Sequence, residues 1–426
     1  MNGLLSSSLL LLSAAFGLAS PIKHTSDVDF LERRSFGFQN AVYFTNWAIY
    51  ARDYQPAQLP VSQVNRVHYA FLNLQEDGTV FSGDTYADLE KHYPGDAWNE
   101  TGTNAYGCVK QIFKLKKANR HLKTVLSIGG WTWSTNFTAV AASPSARTKF
   151  AKTATKIMGD WGMDGIEVDW EYPASPAEGD DYVKLLDAVR AELNRYAEKY
   201  APGYHFLLTA ATPAGPQHYN NMNLPEASKR LDYLYLMAYD YAGSWDNKTG
   251  YLDNLYPSIK NPTATPFSTE KAVNDYLDFG IPSEKILLGM PVYGRAFENT
   301  DGPGKPYKGV GNGSWEAGVY DYKVLPQPDA EEFYDDEAGA TYSYDSARRR
   351  MVSYDTPGMV REKVGYLQDK GLAGSMFWEA SGDKTGTGSL IGTAFDAQGG
   401  FAWLDSCQNL LSYPGSAYDN IRTGLN

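Results

Sequence analysis

The chain has 426 residues, of which 38 are Lys or Arg and 50 are Asp or Glu, for a formal charge of −12. That length supports one large catalytic domain or two ordinary ones, and the acidic balance, with no basic cluster among the aromatics, argues against nucleic acid as a partner. Aromatic residues make up 14%, including 31 Tyr and 10 Trp, and such polar-tipped rings suit a large core or a carbohydrate ligand equally well.

An apolar run from Leu9 to Leu12 continues through Ala14, Ala15 and Phe16 to small residues at Gly17, Ala19 and Ser20. Residues 1–20 are expected to be a secretory signal peptide, although no positive charge precedes the run. The stretch is too short to span a bilayer, so no membrane association is expected. The dibasic pair Arg33-Arg34 makes residues 21–34 a candidate pro-segment. Asn99, Asn136, Asn247 and Asn312 each open an Asn-x-Ser/Thr sequon, which matters only in a secreted chain. Cys108 and Cys407 either close one disulfide or stay as two thiols, since spacing does not give their Cα separation.

Short apolar, β-branched and aromatic runs follow, predicting strands at Ala41–Asn46, Val64–Asn73, Lys123–Ile128, Gly165–Glu171, Phe206–Thr212, Tyr233–Asp240, Ile286–Tyr293 and Ala373–Trp378. Helical patterns cover Tyr106–Asn119, Ala146–Trp161, Asp180–Tyr200, Thr269–Phe279 and Thr356–Lys370. Eight strands alternating with helices close most simply into an α/β fold of the (β/α)8 TIM-barrel type, with its site at the C-terminal strand ends. The last two strands are about 80 residues apart, too far for one crossover helix. Strand-like runs around Tyr320, Tyr342 and Val352 fill that gap. The expected organisation is a barrel from residues 35–297 and 368–426, with a small α+β insertion at 298–367. The insertion would wall a groove suited to a long substrate. No second module, internal repeat or obligate partner is indicated, so a monomer is expected.

The fourth predicted strand carries Asp164-Gly165-Ile166-Glu167-Val168-Asp169-Trp170-Glu171. Side chains alternate along a strand, so Glu167, Asp169 and Glu171 share one face at roughly 6–7 Å spacing. Ile166, Val168 and Trp170 take the other. Three like charges facing a barrel interior raise the proton affinity of at least one of them, and a proton donor is the expected role.

Other strand ends add Tyr239-Asp240, Arg295 and Trp378, and the third strand ends in Ser127-Ile128-Gly129-Gly130-Trp131. Together with the fourth strand, which follows the motif Asp-x-x-Asp-x-Asp-x-Glu except at Glu167, this set resembles glycoside hydrolase family 18, the chitinases, in the secreted fungal endochitinase type with an inserted subdomain. The resemblance runs from about Asn40 to Trp403. It implies a substrate-assisted retaining mechanism without cofactor, acting on chitin or chito-oligosaccharides. Glu171 would be general acid and then base, Asp169 would orient the N-acetyl group, and Tyr239 would hydrogen-bond its carbonyl. Trp378 would floor the distorted sugar beside Met237, Ala238 and Asp240. Arg295 and Tyr172 would contact neighbouring sugars, with Gly130, Trp131 and Thr132 on the donor side. Core packing competes for Trp378 and Trp131, and space filling for Met237.

Gly102 and Thr103, near Trp98, lie in a loop expected at the rim. Trp47, Trp133, Trp245 and Trp315 are candidate stacking platforms. Glu167 departs from the family pattern, which has Asp there. Its extra methylene is expected to crowd Ser127 or Tyr43 and to reduce or pH-shift activity. An endo-N-acetylglucosaminidase acting on N-glycans and a chitin-binding lectin with weakened catalysis are the competing functions. The six His show no ligand spacing, so no metal site is expected. His68 reads as a core residue or one placed behind the site.

Overall fold

The computed structural model describes residues 37–425, so the predicted leader at 1–20 and the candidate pro-segment at 21–34 lie outside the described residues. The strands are β1 (Gln39–Thr45), β2 (Arg66–Leu74), β3 (Val80–Ser82), β4 (Lys123–Gly129), β5 (Gly165–Asp169), β6 (Leu207–Pro213), β7 (Tyr233–Met237), β8 (Ile286–Pro291), β9 (Tyr293–Phe297), β10 (Val319–Asp321), β11 (Glu331–Asp335), β12 (Ala340–Asp345), β13 (Arg350–Ser353) and β14 (Gly374–Trp378). Eight of them form a parallel barrel in the order β1-β14-β8-β7-β6-β5-β4-β2, closed by β1 against β2, with β3 added antiparallel beside β2. This is the expected (β/α)8 architecture. Every residue of β1, β4, β5, β6 and β8 is buried. Burial on both faces favours apolar residues, which is why β8 and the centres of β1 and β4 read as short apolar runs, whereas β5 alternates Ile166 and Val168 with Glu167 and Asp169.

The helices begin where the chain supplies caps. Ser143, Ser175, Ser268 and Thr356 each accept a hydrogen bond, at 3.3 Å, from the backbone N–H three residues on. In three of the four a proline occupies the first turn, where its missing N–H costs nothing. These four helices are Pro144–Asp160, Pro176–Tyr200, Thr269–Asp278 and Pro357–Asp369; the helix Gly107–Ala118 starts without a side-chain cap. Among the described residues, no helix is long and apolar enough to cross a membrane.

A second, five-stranded antiparallel sheet has the order β10-β9-β13-β12-β11. It begins at Tyr293, inside the stretch assigned to the barrel from sequence. The helix Pro357–Asp369 packs against β14 and so lies with the barrel, although most of it falls within 298–367. Only Val292 separates β8 from β9, so the barrel strand feeds directly into the wall beside its own C-terminal end. Cys108 is buried beside the Tyr93 hydroxyl, 3.7 Å away, while Cys407 is exposed; the two do not form a disulfide.

Candidate active site

A cleft of about 1000 Å³ opens at the C-terminal strand ends, and its lining draws on the barrel and on the second sheet. Its chemistry centres on β5. That strand ends at Asp169, two residues earlier than the sequence predicts, because the loop after β4 takes over the backbone bonding. Gly130 N donates to Asp169 O at 2.8 Å, and Glu171 N donates to Ser134 Oγ at 2.8 Å. Glu171 therefore sits just past the strand, beside the cleft. Gly129 holds φ 111°, and a Cβ there would come within 2.2 Å of Asp169 O, so only glycine permits this approach.

The three carboxylates differ sharply. Glu167 is fully buried and well supplied with partners: Tyr43 OH lies 2.9 Å from both oxygens, Ser127 Oγ donates to Oε2 at 2.6 Å, and His68 Nδ1 is 3.1 Å from Oε1. Ser127 and Tyr43, the neighbours expected to be crowded by the longer side chain, are its donors. Asp169 is 3% exposed, yet its Oδ1 has no hydrogen-bond partner among the described residues. Burial first, then the Glu171 and Glu167 charges, holds its proton on well above the usual carboxylate range. Burial pushes the Glu171 carboxyl up to about 7, against the pull of hydrogen bonds from Tyr172 and the Trp131 backbone; Asp240 adds to the rise. The Glu171 charge raises Asp169, so ionising one carboxyl disfavours ionising the other.

On the opposite side β7 ends at Met237, short of the predicted Asp240. Asp240 adopts φ 60°, and its Oδ1 accepts from Tyr293 OH at 2.7 Å and Arg295 Nε at 2.6 Å. The Arg295 guanidinium also lies 4.6 Å over the Trp245 ring. Trp378, at the end of β14, stacks on Phe71 at 5.6 Å and 22° and meets the edge of Tyr43 at 5.2 Å. Tyr239 is half-buried, and burial together with the Glu171 and Asp169 charges keeps its hydroxyl protonated.

The fold thus brings Trp47, Trp131, Thr132, Asp169, Glu171, Tyr172, Met237, Tyr239, Asp240, Arg295 and Trp378 to one cleft, along with Trp133, Trp245 and Trp315. Glu167 lies behind it, and Ala238 is buried outside the lining. Gly130 also stays out of the lining and packs on the Phe71 ring, where a Cβ would approach to 2.7 Å. Gly102 and Thr103 are elsewhere: Asp419 Oδ2 accepts from Thr103 N at 2.9 Å, and Asp419 N donates back to Thr103 O at 2.7 Å. Their loop is held by the chain's C-terminal segment, not by the cleft. Trp98 likewise stacks on His92, at 3.8 Å, outside the lining.

Sequence reasoning missed Arg52, Phe71, His218, Asp321 and Glu379, all of which line the cleft. Arg52 Nη1 pairs with Asp321 Oδ1 at 2.8 Å and lies 3.6 Å from Glu379 Oε1. Glu379 directly follows β14, so the rule that barrel sites gather at strand ends would have found it. Arg52 and Asp321 come from a loop and from the second sheet, where no periodicity points to them. Among the described residues, no group of three His, Cys, Asp or Glu is placed to hold a metal ion.

A carboxyl that keeps its proton to near neutrality, in a cleft lined with aromatic side chains at the mouth of a (β/α)8 barrel, is the equipment of a glycoside hydrolase. The chain belongs to the glycosyl hydrolases family 18, whose sequence profile matches residues 39–383. It is 56% identical over 411 residues to Endochitinase 1 of Metarhizium robertsii, covering 96% of each chain. It is 55% identical over 415 residues to Chitinase 1 of Aphanocladium album, covering 97% of each. Among solved structures, chitinase ChiA74 from Bacillus thuringiensis superposes with a TM-score of 0.79 at 29% identity, over 85% of this chain and 70% of that one.

Proposed function

We propose that the protein is a secreted chitinase that cleaves β-1,4 linkages between N-acetylglucosamine units by a retaining, substrate-assisted route. The observation that carries this reading is the Glu171 carboxyl, raised to about 7 by burial at the edge of an aromatic cleft. Such a group is protonated at mildly acidic pH and donates to the glycosidic oxygen as the bond breaks. Asp240 is engaged by Tyr293 and Arg295, so the reading assigns it no nucleophilic role. The substrate's own N-acetyl carbonyl then closes on the anomeric carbon, giving an oxazolinium ion. Asp169 orients the acetamide and offsets the charge on its nitrogen, Tyr239 donates to its oxygen, and Trp378 supports the distorted ring. Glu171, now ionised, takes a proton from the incoming water, and the product keeps its anomeric configuration.

The retained acid favours catalysis over a lectin role, and the second sheet beside an open cleft favours a linear polymer over an N-glycan core. The leader-like composition of residues 1–20 supports secretion. Hydrolysis of defined N-acetylglucosamine oligomers by the wild type and by Glu171→Gln tests the reading, with NMR of the nascent anomer reporting stereochemistry. Equal rates for the two proteins, or an inverted anomer, would overturn it.

A further inference from the structure

Glu167 stands where its family's motif has Asp, and what surrounds it is unusual for a buried carboxylate. Tyr43, from β1, approaches both oxygens but has one proton to donate, and Ser127, from β4, serves Oε2. The remaining neighbour at Oε1 is His68 of β2, whose Nδ1 lies 3.1 Å away with both side chains at 0% exposure. The contact is within ion-pair distance but off the axis of a directional N–H···O bond, and among the described residues neither ring nitrogen has another hydrogen-bond partner. The ring is clamped between Tyr43, at 4.9 Å, and the edge of Tyr235, at 4.3 Å, so it has little room to seek one. A fully buried imidazole with no other outlet, facing a fully buried carboxylate, is costly unless the two belong together. An Asp at 167 would end about 1.5 Å short of the present carboxylate position.

We propose that His68 and Glu167 are a matched pair, with His68 a positioning residue that fixes the carboxylate where the longer side chain places it. The extra methylene carries the carboxylate toward β2, and His68 is what it meets there. Neither residue lines the cleft. Their influence passes through Asp169, whose proton is held partly by the Glu167 charge. The pair therefore acts on turnover and not on substrate affinity. This rests on the reading of Asp169 and Glu171 as catalytic.

The test is a double-mutant cycle of wild type, His68→Leu, Glu167→Asp and the combined variant, reading kcat and KM on N-acetylglucosamine oligomers and the thermal midpoint. Each single change is expected to lower kcat by about fivefold or more with KM within about twofold, while the combined variant loses less than the product of the two losses, its kcat lying about fivefold above that multiplicative expectation. Losses that simply multiply, or single variants with wild-type kcat, would overturn the pairing. A wild type that cleaves no oligomer would instead overturn the proposed function. In that case, or where His68→Leu does not fold, the imidazole Cε1–H resonance of His68 decides the pairing. It is expected to move in Glu167→Gln, and an unmoved signal would dismiss the pair.

Discussion

Just before β5 begins, Asp164 meets a buried ammonium: Lys116 Nζ lies 2.8 Å from Oδ2, and Thr124 N donates to the same oxygen at 2.8 Å. Its other oxygen accepts from Tyr204 OH and Leu410 N, each at 2.9 Å. At the far end of the same strand Asp169 is almost equally buried, yet among the described residues one of its oxygens has no partner and the charges that act on it are carboxylates. Burial is the same at both ends; what differs is whether the charge is answered. The lower end of the barrel ties its acid into a network joining a helix, a strand, the loop before β6 and the C-terminal segment, and that serves stability. The upper end leaves its acids short of counter-charge, so that they hold their protons more tightly than free carboxyls do.

The sharpest way to break this contrast is at the upper end. Glu171→Gln is expected to lower kcat on N-acetylglucosamine oligomers by about 10²–10⁴-fold without lowering the thermal midpoint. A loss under about tenfold would place the proton donor elsewhere. Asp164→Ala should do the reverse. Stranding the buried Lys116 ammonium costs about 3–5 kcal/mol in urea unfolding, while the folded fraction keeps its kcat. Abolished turnover with unchanged stability would erase the division of labour between the ends.

Proton linkage separates the two ends by a smaller margin. Glu171 titrates at 4.5 when unperturbed and at about 7 in the fold, so between those values the native state holds a proton that the unfolded chain has released. Stability is fully present below the lower value and falls as pH rises toward the upper one, by up to about 3 kcal/mol. Asp169 acts in the same direction. Denaturant titrations across this range should show the decline, and Glu171→Gln should flatten it; a wild-type profile flat in pH would contradict the raised Glu171. Activity should fall on the alkaline side near the same value. The smallest effect is expected at the cleft rim. Trp131 is 76% exposed, and Trp131→Ala should raise KM roughly fivefold, about 1 kcal/mol of lost stacking, with little change in kcat. An unaltered KM would remove Trp131 from the binding surface.

Much of the barrel was legible because parallel strands leave a local trace: short apolar runs at β8 and at the centres of β1 and β4. The acidic row was legible for the same reason, since a period of two fixes which side chains share a face. Strand ends were less so. Glu171 leaves the strand because Ser134 and Gly130, some 40 residues back, bind the backbone around it. Asp240 leaves β7 and turns to φ 60° under Tyr293 and Arg295. Gly102 and Thr103 looked like rim residues beside Trp98, but Asp419, 316 residues after Thr103, holds them elsewhere. Phe71 reads as core by any local criterion, and it supports Trp378 and Trp47 at the floor of the cleft.

By itself the sequence determined the eight-stranded barrel, the presence of three carboxylates on one interior face and the family to which those motifs point, because strand period and hydrophobic runs are properties of neighbouring residues. Only the tertiary structure decided which carboxylate is answered and which is left bare. The partners of Glu167 come from β1, β2 and β4, those of Asp164 from a helix, a strand and the C-terminal segment, and Asp169 has an oxygen with none among the described residues. A buried charge is stabilised by whatever groups the fold carries to within about 3 Å of it, and residues so far apart in the chain meet only when the barrel closes.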